Sequence, residues 1–406
     1  MNALKSAVIA AYRAGLAAVD PELKTADALL RLAIDRPSTI IALGKASPAM
    51  TRGAATVLGG LLRKAVVVSD HPEEVPDPAR LLLGSHPFPD QSSLAAGRAI
   101  MAAAEAASPE ETLIVLVSGG GSSLADVPAG GMTISDLAET ARVLMDAGVP
   151  IEQLNRVRRH LSDLKNGKLL EATSAERVIT LAVSDVVDGP ASDIASGPTI
   201  ADGSTPVDAL RIIADHHLEH LVSPAAIKHL RRGAVSAPPR HEHTIGVIAD
   251  GIQAAKAAAA HLETAGYAAR VADTRLRGDA KEQARHWCAL STNGVTVASG
   301  ETTMELSGHG LGGRNQAAAL AAALAIDGRQ TVFAALATDG IDGPTDVAGA
   351  VVDGRTASLI SAAGLDPYQL LAQDDSHPAL AAAHAHVTTG PTGTNVGDLW
   401  FVAQSP

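Results

Sequence analysis

The chain has 406 residues, of which 46% are apolar, so it is long and apolar enough to bury more than one hydrophobic core. Its 32 basic and 44 acidic residues give a net charge of −12, which argues against a nucleic-acid-binding protein because phosphate backbones attract clustered lysine and arginine. Cys288 is the only cysteine, which excludes an internal disulfide framework and a cysteine-based zinc finger.

The first half of the chain alternates between predicted helices and strands. Apolar positions at three- and four-residue spacing predict a helix over residues 4–18. Short apolar runs predict buried strands over 38–43, 64–68, 113–117 and 178–183, with helices over 92–106 and 133–147. This alternation is typical of an α/β fold with a mainly parallel sheet.

A second series of strands follows residues 231–243, where polar residues, Gly233, Pro238 and Pro239 indicate a linker. The predicted strands of this series are 244–249, 266–272, 295–298, 331–336 and 385–387. We therefore expect two α/β domains, residues 1–236 and residues 237–406, each with a mainly parallel sheet flanked by helices.

The chain offers no sign of membrane insertion or export. No uncharged apolar run reaches the length of a membrane span, and charged residues soon interrupt the apolar N-terminal segment, which therefore does not resemble a secretory signal. We expect a cytoplasmic protein without a membrane or nucleic-acid partner.

A glycine-rich segment follows the predicted strand 113–117, at the sheet edge where open parallel sheets bind ligands. Its backbone N–H groups and hydroxyls could hold a phosphate or a carboxylate. A tight turn that needs positive φ angles is the alternative, but three consecutive glycines flanked by serines exceed what a turn requires. We therefore favour an anion-binding loop formed by Ser118, Gly119, Gly120, Gly121, Ser122 and Ser123.

Two basic residues are candidates for holding phosphate. Lys45 follows the strand 38–43, although an exposed lysine is the simpler interpretation when it is taken alone. Residues 308–313 match G-x-G-x-x-G, but no continuous buried strand precedes them, so the dinucleotide-binding signal is weak. We interpret this run, with Gly312 and Gly313, as a mobile loop that delivers Arg314 to an anion. The chain has no Walker A pattern, which excludes a P-loop nucleotidase.

Aspartates follow predicted strands in both halves of the chain. Asp185 and Asp339 come directly after their strands, where a carboxylate could bind Mg²⁺ with phosphate oxygens or act as a general base. Asp188 and Asp342 each precede Gly-Pro, so a turn-forming role explains them equally well. The candidate metal ligands are Asp185, Asp188 and Asp339.

The order of these motifs along the chain resembles the glycerate 2-kinase family. The resemblance rests on residues 85–90, 118–123, 155–162, 184–190, 196–199, 308–316, 337–346 and 389–395, which together span nearly the whole chain. It implies a Rossmann-like N-terminal domain, a C-terminal MOFRL domain and an active site in the cleft between them.

The resemblance also implies a reaction. Members phosphorylate (R)-glycerate, or D-glycerate, at its 2-hydroxyl with ATP and Mg²⁺, giving 2-phosphoglycerate and ADP. By motif position, Lys45 and Arg314 would act on the transferring phosphate, and the loop beginning at Ser118 would bind nucleotide or substrate phosphate.

The other candidates take roles around this centre. Asp185 would be catalytic, because either it or Asp339 would orient Mg²⁺ or accept the proton of the glycerate hydroxyl. Arg158 or Arg159 could clamp the substrate carboxylate, although a role as helix-surface charges explains both equally well. Asn395 is a candidate for binding phosphate, and Glu301 and Asn315 are candidates for binding substrate.

Two other functions compete with a kinase. An NAD(P)H-dependent hydroxypyruvate reductase would use residues 308–313, and some family members carried that label. A non-catalytic sensor of sugar acids or phosphates is the least favoured, because charged and hydroxyl residues follow strands in both domains. The expected partners are glycerate and a nucleotide, with a homodimer as one option for the assembly.

Overall fold

The computed structural model describes residues 1–186, 189–233, 241–272, 274–290, 293–306 and 308–404. These residues form two compact units. The first unit contains the described residues of Pro21–Ser184 and Asp188–Ile248, and the second unit contains those of Met1–Asp20, Asp185–Val187 and Ala249–Pro406. The predicted boundary between residues 236 and 237 lies outside the described residues and stays a prediction.

The first unit is built on a six-stranded sheet with the strand order β3-β2-β1-β4-β5-β6. Its strands are β1 (Ser38–Leu43), β2 (Leu62–Ser69), β3 (Ala79–Leu83), β4 (Thr112–Val117), β5 (Arg177–Ser184) and β6 (Glu242–Asp250). Neighbouring strands from β3 through β5 pair in parallel. This is the strand order of a Rossmann-type sheet, and the direction of strand addition reverses between β1 and β4.

Helices cover this sheet, and several begin at side chains that accept backbone N–H groups. Asp90, Thr133 and Thr205 cap three of them in this way, which satisfies N–H groups of the first turn. The helices of the first unit are α2 (Pro21–Leu32), α3 (Ser47–Leu58), α4 (Gln91–Ala106), α5 (Gly121–Leu124), α6 (Ile134–Asp146), α7 (Ile151–His160), α8 (Lys168–Ala172), α9 (Pro206–Asp215) and α10 (Pro224–Arg232).

The second unit is built on a mixed six-stranded sheet with the order β11-β10-β9-β12-β8-β7. Its strands are β7 (Ala269–Val271), β8 (Gly294–Gly300), β9 (Thr331–Ala337), β10 (Gly349–Asp353), β11 (His386–Val387) and β12 (Asp398–Gln404). Strand β12 lies between β8 and β9 and is antiparallel to both. Strand β10 is antiparallel to β9 and β11, whereas β7 and β8 are parallel.

The helices of the second unit come from both ends of the chain. They are α1 (Asn2–Ala18), α11 (Gly251–Thr264), α12 (Ala280–Ala289), α13 (Arg314–Ala325), α14 (Thr356–Ala362), α15 (Pro367–Ala372) and α16 (Ser376–Ala382). None of the helices in the described part of the chain is long and apolar enough to cross a membrane.

Helix α1 packs within the second unit, although residues 1–236 were expected to form the N-terminal domain. The Tyr12 hydroxyl donates to the carbonyl oxygen of Ala337 at 2.6 Å. A Cβ at Gly15 would lie 2.9 Å from the carbonyl oxygen of Ala254 in α11, so glycine allows the two helices to approach closely. The first helix of the chain therefore belongs with the C-terminal sheet.

The two-domain α/β class is confirmed, and the first sheet is parallel as expected. The second sheet differs from the expected parallel arrangement, because β10 and β12 were not predicted and take part in each antiparallel pair among its described strands. Strand β6 was expected to open the second strand series but extends the first sheet. An apolar run predicts a buried strand and does not identify its neighbours.

Helix α13 is the buried helix that carries Arg314 at its start. Every residue from Asn315 to Ala323 is buried, and most of them are alanine. Small side chains let the helix lie close to the strands beneath it, at little cost in side-chain entropy. The first turn of this helix is therefore held in place by the packing of the second unit.

Gly53 allows helices α2 and α3 to pack closely in the first unit. A Cβ at this position would overlap the carbonyl oxygen of Glu22, which belongs to the backbone and cannot turn aside. We expect Gly53→Ala to lower the free energy of unfolding by about 1–3 kcal/mol, measured by chemical denaturation. Gly60→Ala is the control, because its Cβ would meet no atom within 4 Å. Equal stability of the two variants would contradict this packing.

Candidate active site

The residues Gly44-Lys45 and the loop 118–123 meet in the first unit, after the neighbouring strands β1 and β4. The backbone N–H of Lys45 donates to the Gly119 carbonyl oxygen, and that of Ala46 to Ser118 Oγ, each at 3.0 Å. Gly44 has a φ of +124°, and a Cβ there would overlap Ser118. The two segments therefore meet where the strand order reverses, which is where open α/β sheets bind ligands.

Basic side chains from three segments surround this junction. A Cβ at Gly120 would lie 3.3 Å from Lys45 Cγ and 3.8 Å from His86 Cδ2. Arg158, near the end of α7, donates from Nη2 to the carbonyl oxygen of Ser122 at 2.8 Å. Burial and the charge of Lys45 lower the pKa of His86, although the carboxylate of Asp70 opposes them. This first cluster, formed by Lys45, His86, Arg158 and the loop 118–123, is suited to binding an anion.

Several residues of the loop 118–123 also have structural roles. Gly120 has a φ of +81°, and a Cβ at Gly121 would lie 2.8 Å from Ala195 Cβ. Ser118 and Ser123 are buried, whereas Ser122 is half-buried and its hydroxyl lies 2.8 Å from Ser196 Oγ. The turn and the anion site are therefore compatible interpretations, and anion binding by this loop stays a prediction.

Arg159 lies inside the first unit rather than at its surface. Its guanidinium donates to the carboxylates of Asp193 and Asp202, each at 2.5 Å, and its side chain is 4% exposed. Removal of this buried arginine would leave the two carboxylates without their cationic partner. This differs from the predicted role in clamping substrate, which leaves Arg158 as the candidate.

The second cluster is centred on Arg314 in the second unit. Its Nε and Nη2 donate to the two carboxylate oxygens of Asp398 at 2.8 and 3.1 Å, and its Nη1 lies 2.9 Å from Glu301 Oε1. Asp398 is fully buried at the start of β12, and Glu301 follows β8. Burial lowers the pKa of Arg314, but the charges of Asp398 and Glu301 outweigh it and hold that pKa above its ordinary value.

Glu301 has an unusual protonation equilibrium in this cluster. Partial burial raises its pKa to about 7, and the charges of Asp185 and Asp398 add to this effect, while Arg314 opposes it. The side chain remains 45% exposed, so protons can reach it readily. Glu301 therefore changes charge near neutral pH, directly beside the guanidinium.

A carboxylate of the protein occupies the start of α13. Asp342 is buried and accepts the backbone N–H groups of Asn315 and Gln316 at 3.0 and 2.8 Å. Burial raises the pKa of Asp342, and these hydrogen bonds oppose the rise. Since N–H groups at a helix start are what a bound pyrophosphate would use, this site does not suit a dinucleotide.

The glycines of 308–313 pack against neighbouring backbone, and the segment does not fit the mobile loop that was predicted. A Cβ at Gly308 would overlap the carbonyl oxygen of Gln373, and one at Gly313 would overlap Asp342. The N–H groups of Gly308 and Leu311 donate to the carboxylates of Asp374 and Asp375 at 2.9 and 2.8 Å. Glycine at these positions, Gly312 included, is explained by close packing, and phosphate binding there stays a prediction.

Asn315 was predicted to bind substrate, but its side chain is fully buried. Its amide contacts Asp398, Asp342 and the indole of Trp400. Asp398, Trp400 and His86 were not singled out as site residues from the sequence. The signal that could have revealed Asp398 is a carboxylate immediately before the apolar run 399–403, because a buried charge needs a partner.

The described candidate metal ligands, Asp185 and Asp339, do not form a closed metal-binding site. Asn395 Nδ2 lies 3.5 Å from Asp185 Oδ2, and Asp339 Oδ1 accepts the Ile341 N–H at 3.1 Å. Asp188 lies outside the described residues. Within the described ranges, no group of three or more His, Cys, Asp or Glu side chains could hold a metal ion. A Mg²⁺ ion held by Asp185 or Asp339 would therefore need phosphate oxygens and water for most of its ligands.

Comparison with known proteins identifies the family. Residues 7–231 match the model of a domain of unknown function, DUF4147, and residues 294–398 match the MOFRL family. The chain is 35% identical to a D-glycerate 2-kinase of Thermotoga maritima over 98% of each chain. The chain belongs to the glycerate 2-kinase family. The family resemblance of the sequence motifs is thereby confirmed.

Two further relatives define what the glycerate 2-kinase family contains. A crystal structure of a glycerate kinase from Thermotoga maritima matches with a TM-score of 0.90 and 33% identity, covering 99% of this chain and 100% of that one. A protein of Agrobacterium vitis named putative hydroxypyruvate reductase is 35% identical over 89% of this chain and 97% of its own. Relatives of this chain therefore carry both names. The geometry of the site has to distinguish phosphorylation of glycerate from reduction of hydroxypyruvate.

Glu301 provides a pH-dependent test of the second cluster. Its ordinary pKa of 4.5 rises to about 7, so the folded chain retains a proton that the unfolded chain releases between these values. The contribution of Glu301 to stability therefore falls as the pH rises through this range. We expect Glu301→Gln to gain stability relative to the wild type between about pH 5 and pH 8, measured as the difference in melting temperature.

Glu105→Gln, an exposed position on α4, is the control for this experiment. Its difference from the wild type should vary less with pH. A Glu301→Gln difference that is constant with pH, or that falls as the pH rises, would contradict the raised pKa.

Proposed function

We propose that the chain is an ATP-dependent glycerate 2-kinase, which transfers the γ-phosphoryl group of ATP to the 2-hydroxyl of D-glycerate. The products are 2-phosphoglycerate and ADP. The observation that carries the proposal is the similarity to a D-glycerate 2-kinase along almost the entire chain. The geometry supports it, because each unit holds a basic group suited to phosphate.

Arg314 is proposed to neutralise the transferring phosphoryl group. Each terminal nitrogen of a guanidinium carries two N–H groups, and Asp398 and Glu301 account for one on Nη2 and one on Nη1. The remaining N–H on each nitrogen would donate to phosphate oxygens. The charge that develops on these oxygens in a loose transition state is what such preorganised donors stabilise.

The first cluster is proposed to bind the other groups of the reactants. Lys45 would neutralise phosphate as a point charge, and the N–H groups of the loop 118–123 would hold phosphate oxygens. Arg158 would hold the glycerate carboxylate, for which a planar guanidinium offers paired donors. The half-buried position of Arg158 against the Ser122 carbonyl oxygen supports this assignment.

Asp185 is proposed to orient the glycerate hydroxyl or to help bind Mg²⁺, with Asp339 as the second carboxylate. When bound, Mg²⁺ would neutralise charge on the nucleotide phosphates. Asn395, which lies 3.5 Å from Asp185, would hold that carboxylate in place. The roles of ATP and Mg²⁺, the cytoplasmic location, the homodimer and the cleft between the domains stay predictions.

Reduction of hydroxypyruvate by NAD(P)H is the second reaction class, because relatives carry that name. The structure favours it less. Strand β8 ends at Gly300, several residues before the G-x-G-x-x-G run, and Asp342 occupies the N–H groups at the start of α13. A dinucleotide fingerprint joins a strand directly to a helix and leaves those N–H groups for the pyrophosphate.

We expect Lys45→Met to lower kcat by about 100-fold or more, because it removes a positive charge from the phosphate site. The measurement is ADP release with ATP, Mg²⁺ and D-glycerate at saturating concentrations. Lys64→Met, at an exposed position of β2, should retain the wild-type kcat. A wild-type kcat for Lys45→Met would contradict the role of Lys45.

The same assay distinguishes the competing functions. Glycerate-dependent ADP release by the wild type is the outcome that the kinase predicts. Oxidation of NADH by hydroxypyruvate without ATP would support a reductase. A rise in melting temperature with glycerate or ATP, without turnover of either, would support a sensor, since a ligand that binds the folded state stabilises it.

A further inference from the structure

A series of buried hydrogen bonds runs from Trp400 to Arg314 in the second unit. Trp400 is 1% exposed in β12, and its indole Nε1–H donates to Asn315 Oδ1 at 2.9 Å. An indole N–H can only donate a hydrogen bond. The contact therefore fixes which end of the Asn315 amide is the oxygen.

The orientation of the Asn315 amide determines what faces Asp398. With Oδ1 directed at Trp400, the Nδ2 group donates to Asp398 Oδ1 at 2.9 Å and lies 3.3 Å from Asp342 Oδ1. If the amide turned over, its oxygen would face two carboxylates, which repel it. Trp400 thus opposes a 180° rotation of the Asn315 amide.

Asp398 transmits this orientation to the guanidinium. Its Oδ1 accepts from both Asn315 Nδ2 and Arg314 Nη2, and its Oδ2 accepts from Arg314 Nε. Paired hydrogen bonds of this kind keep a guanidinium and a carboxylate in one plane. The rotation of the Asp398 carboxylate therefore sets the plane in which the remaining N–H groups of Arg314 point.

We propose that Trp400 and Asn315 are positioning residues for Arg314, acting through the carboxylate of Asp398. The proposal rests on the proposed kinase function for its catalytic consequence, but the orientation itself is a property of the folded chain. Both side chains are buried, so they act on the reactants through Asp398 and Arg314 rather than by direct contact. Their loss should change the alignment of Arg314 in the transition state more than the binding of the substrates.

Trp400→Phe tests the proposal with the least disturbance. It retains an aromatic ring against Phe333, whose centroid lies 5.3 Å away in an edge-to-face arrangement, and it removes the indole N–H. Phe401→Leu is the matched control, because Phe401 is the next residue of β12, is fully buried, and its side chain lies on the opposite face of the sheet.

The first readout does not depend on any activity. Hydrogen exchange of the Arg314 Nε–H is followed by NMR, with the resonance assigned by its loss in Arg314→Lys. We expect exchange to be about tenfold faster in Trp400→Phe and unchanged in Phe401→Leu. Unchanged exchange in Trp400→Phe would overturn the proposal. If Trp400→Phe does not fold, Asn315→Ala tests the same series of hydrogen bonds, because it removes the amide that joins Trp400 to Asp398.

The second readout is kinetic. We expect Trp400→Phe to lower kcat about tenfold with little change in KM for ATP or glycerate, and to have no further effect when added to Arg314→Lys. An equal loss in both backgrounds would show that Trp400 does not act through Arg314. If the wild type releases no ADP with glycerate, the proposed function fails, while the exchange measurement still decides the positioning role.

Discussion

The ion pair between Arg314 and the buried carboxylate of Asp398 is the interaction on which the second cluster depends. Asp398 is fully buried and would be strongly destabilising without a cationic partner. It can meet Arg314 because β12 lies beside β8 and β9, which places its first residue near the start of α13. The mixed pairing of this sheet is thus part of how the site is built.

Glycine-rich segments accompany the candidate basic residues in both units. In the second unit Asp342 accepts the N–H groups at the start of α13, and the glycines before this helix pack closely against neighbouring residues. In the first unit the glycine at position 44 brings the segments after β1 and β4 together beside Lys45 and Arg158, at the switch point of a Rossmann-type sheet. That cluster brings positive charge to the loop 118–123, in which the N–H groups of Ser118, Gly121 and Ser123 donate to backbone carbonyl oxygens.

The sequence predicted most of the helices and strands, but fewer of the side-chain contacts that the candidate site residues make. The apolar runs of β1, β4, β5 and β9 and the order of the motifs were sufficient for the fold class and the family. Arg159 and Asn315 were predicted to bind substrate, and their carboxylate partners were not foreseen. These carboxylates are distant in sequence, so a local motif does not reveal them. Asp398 was missed for the same reason, because its contact with Arg314 depends on the position of β12 in the sheet.

The most direct test of this account is the identity of the product. The purified protein would be incubated with ATP, Mg²⁺ and D-glycerate, and the phosphorylated product identified by ³¹P NMR. We expect 2-phosphoglycerate, whose phosphorus couples to a single carbon-bound proton and gives a doublet. A triplet from 3-phosphoglycerate, or no phosphorylated glycerate at all, would contradict it.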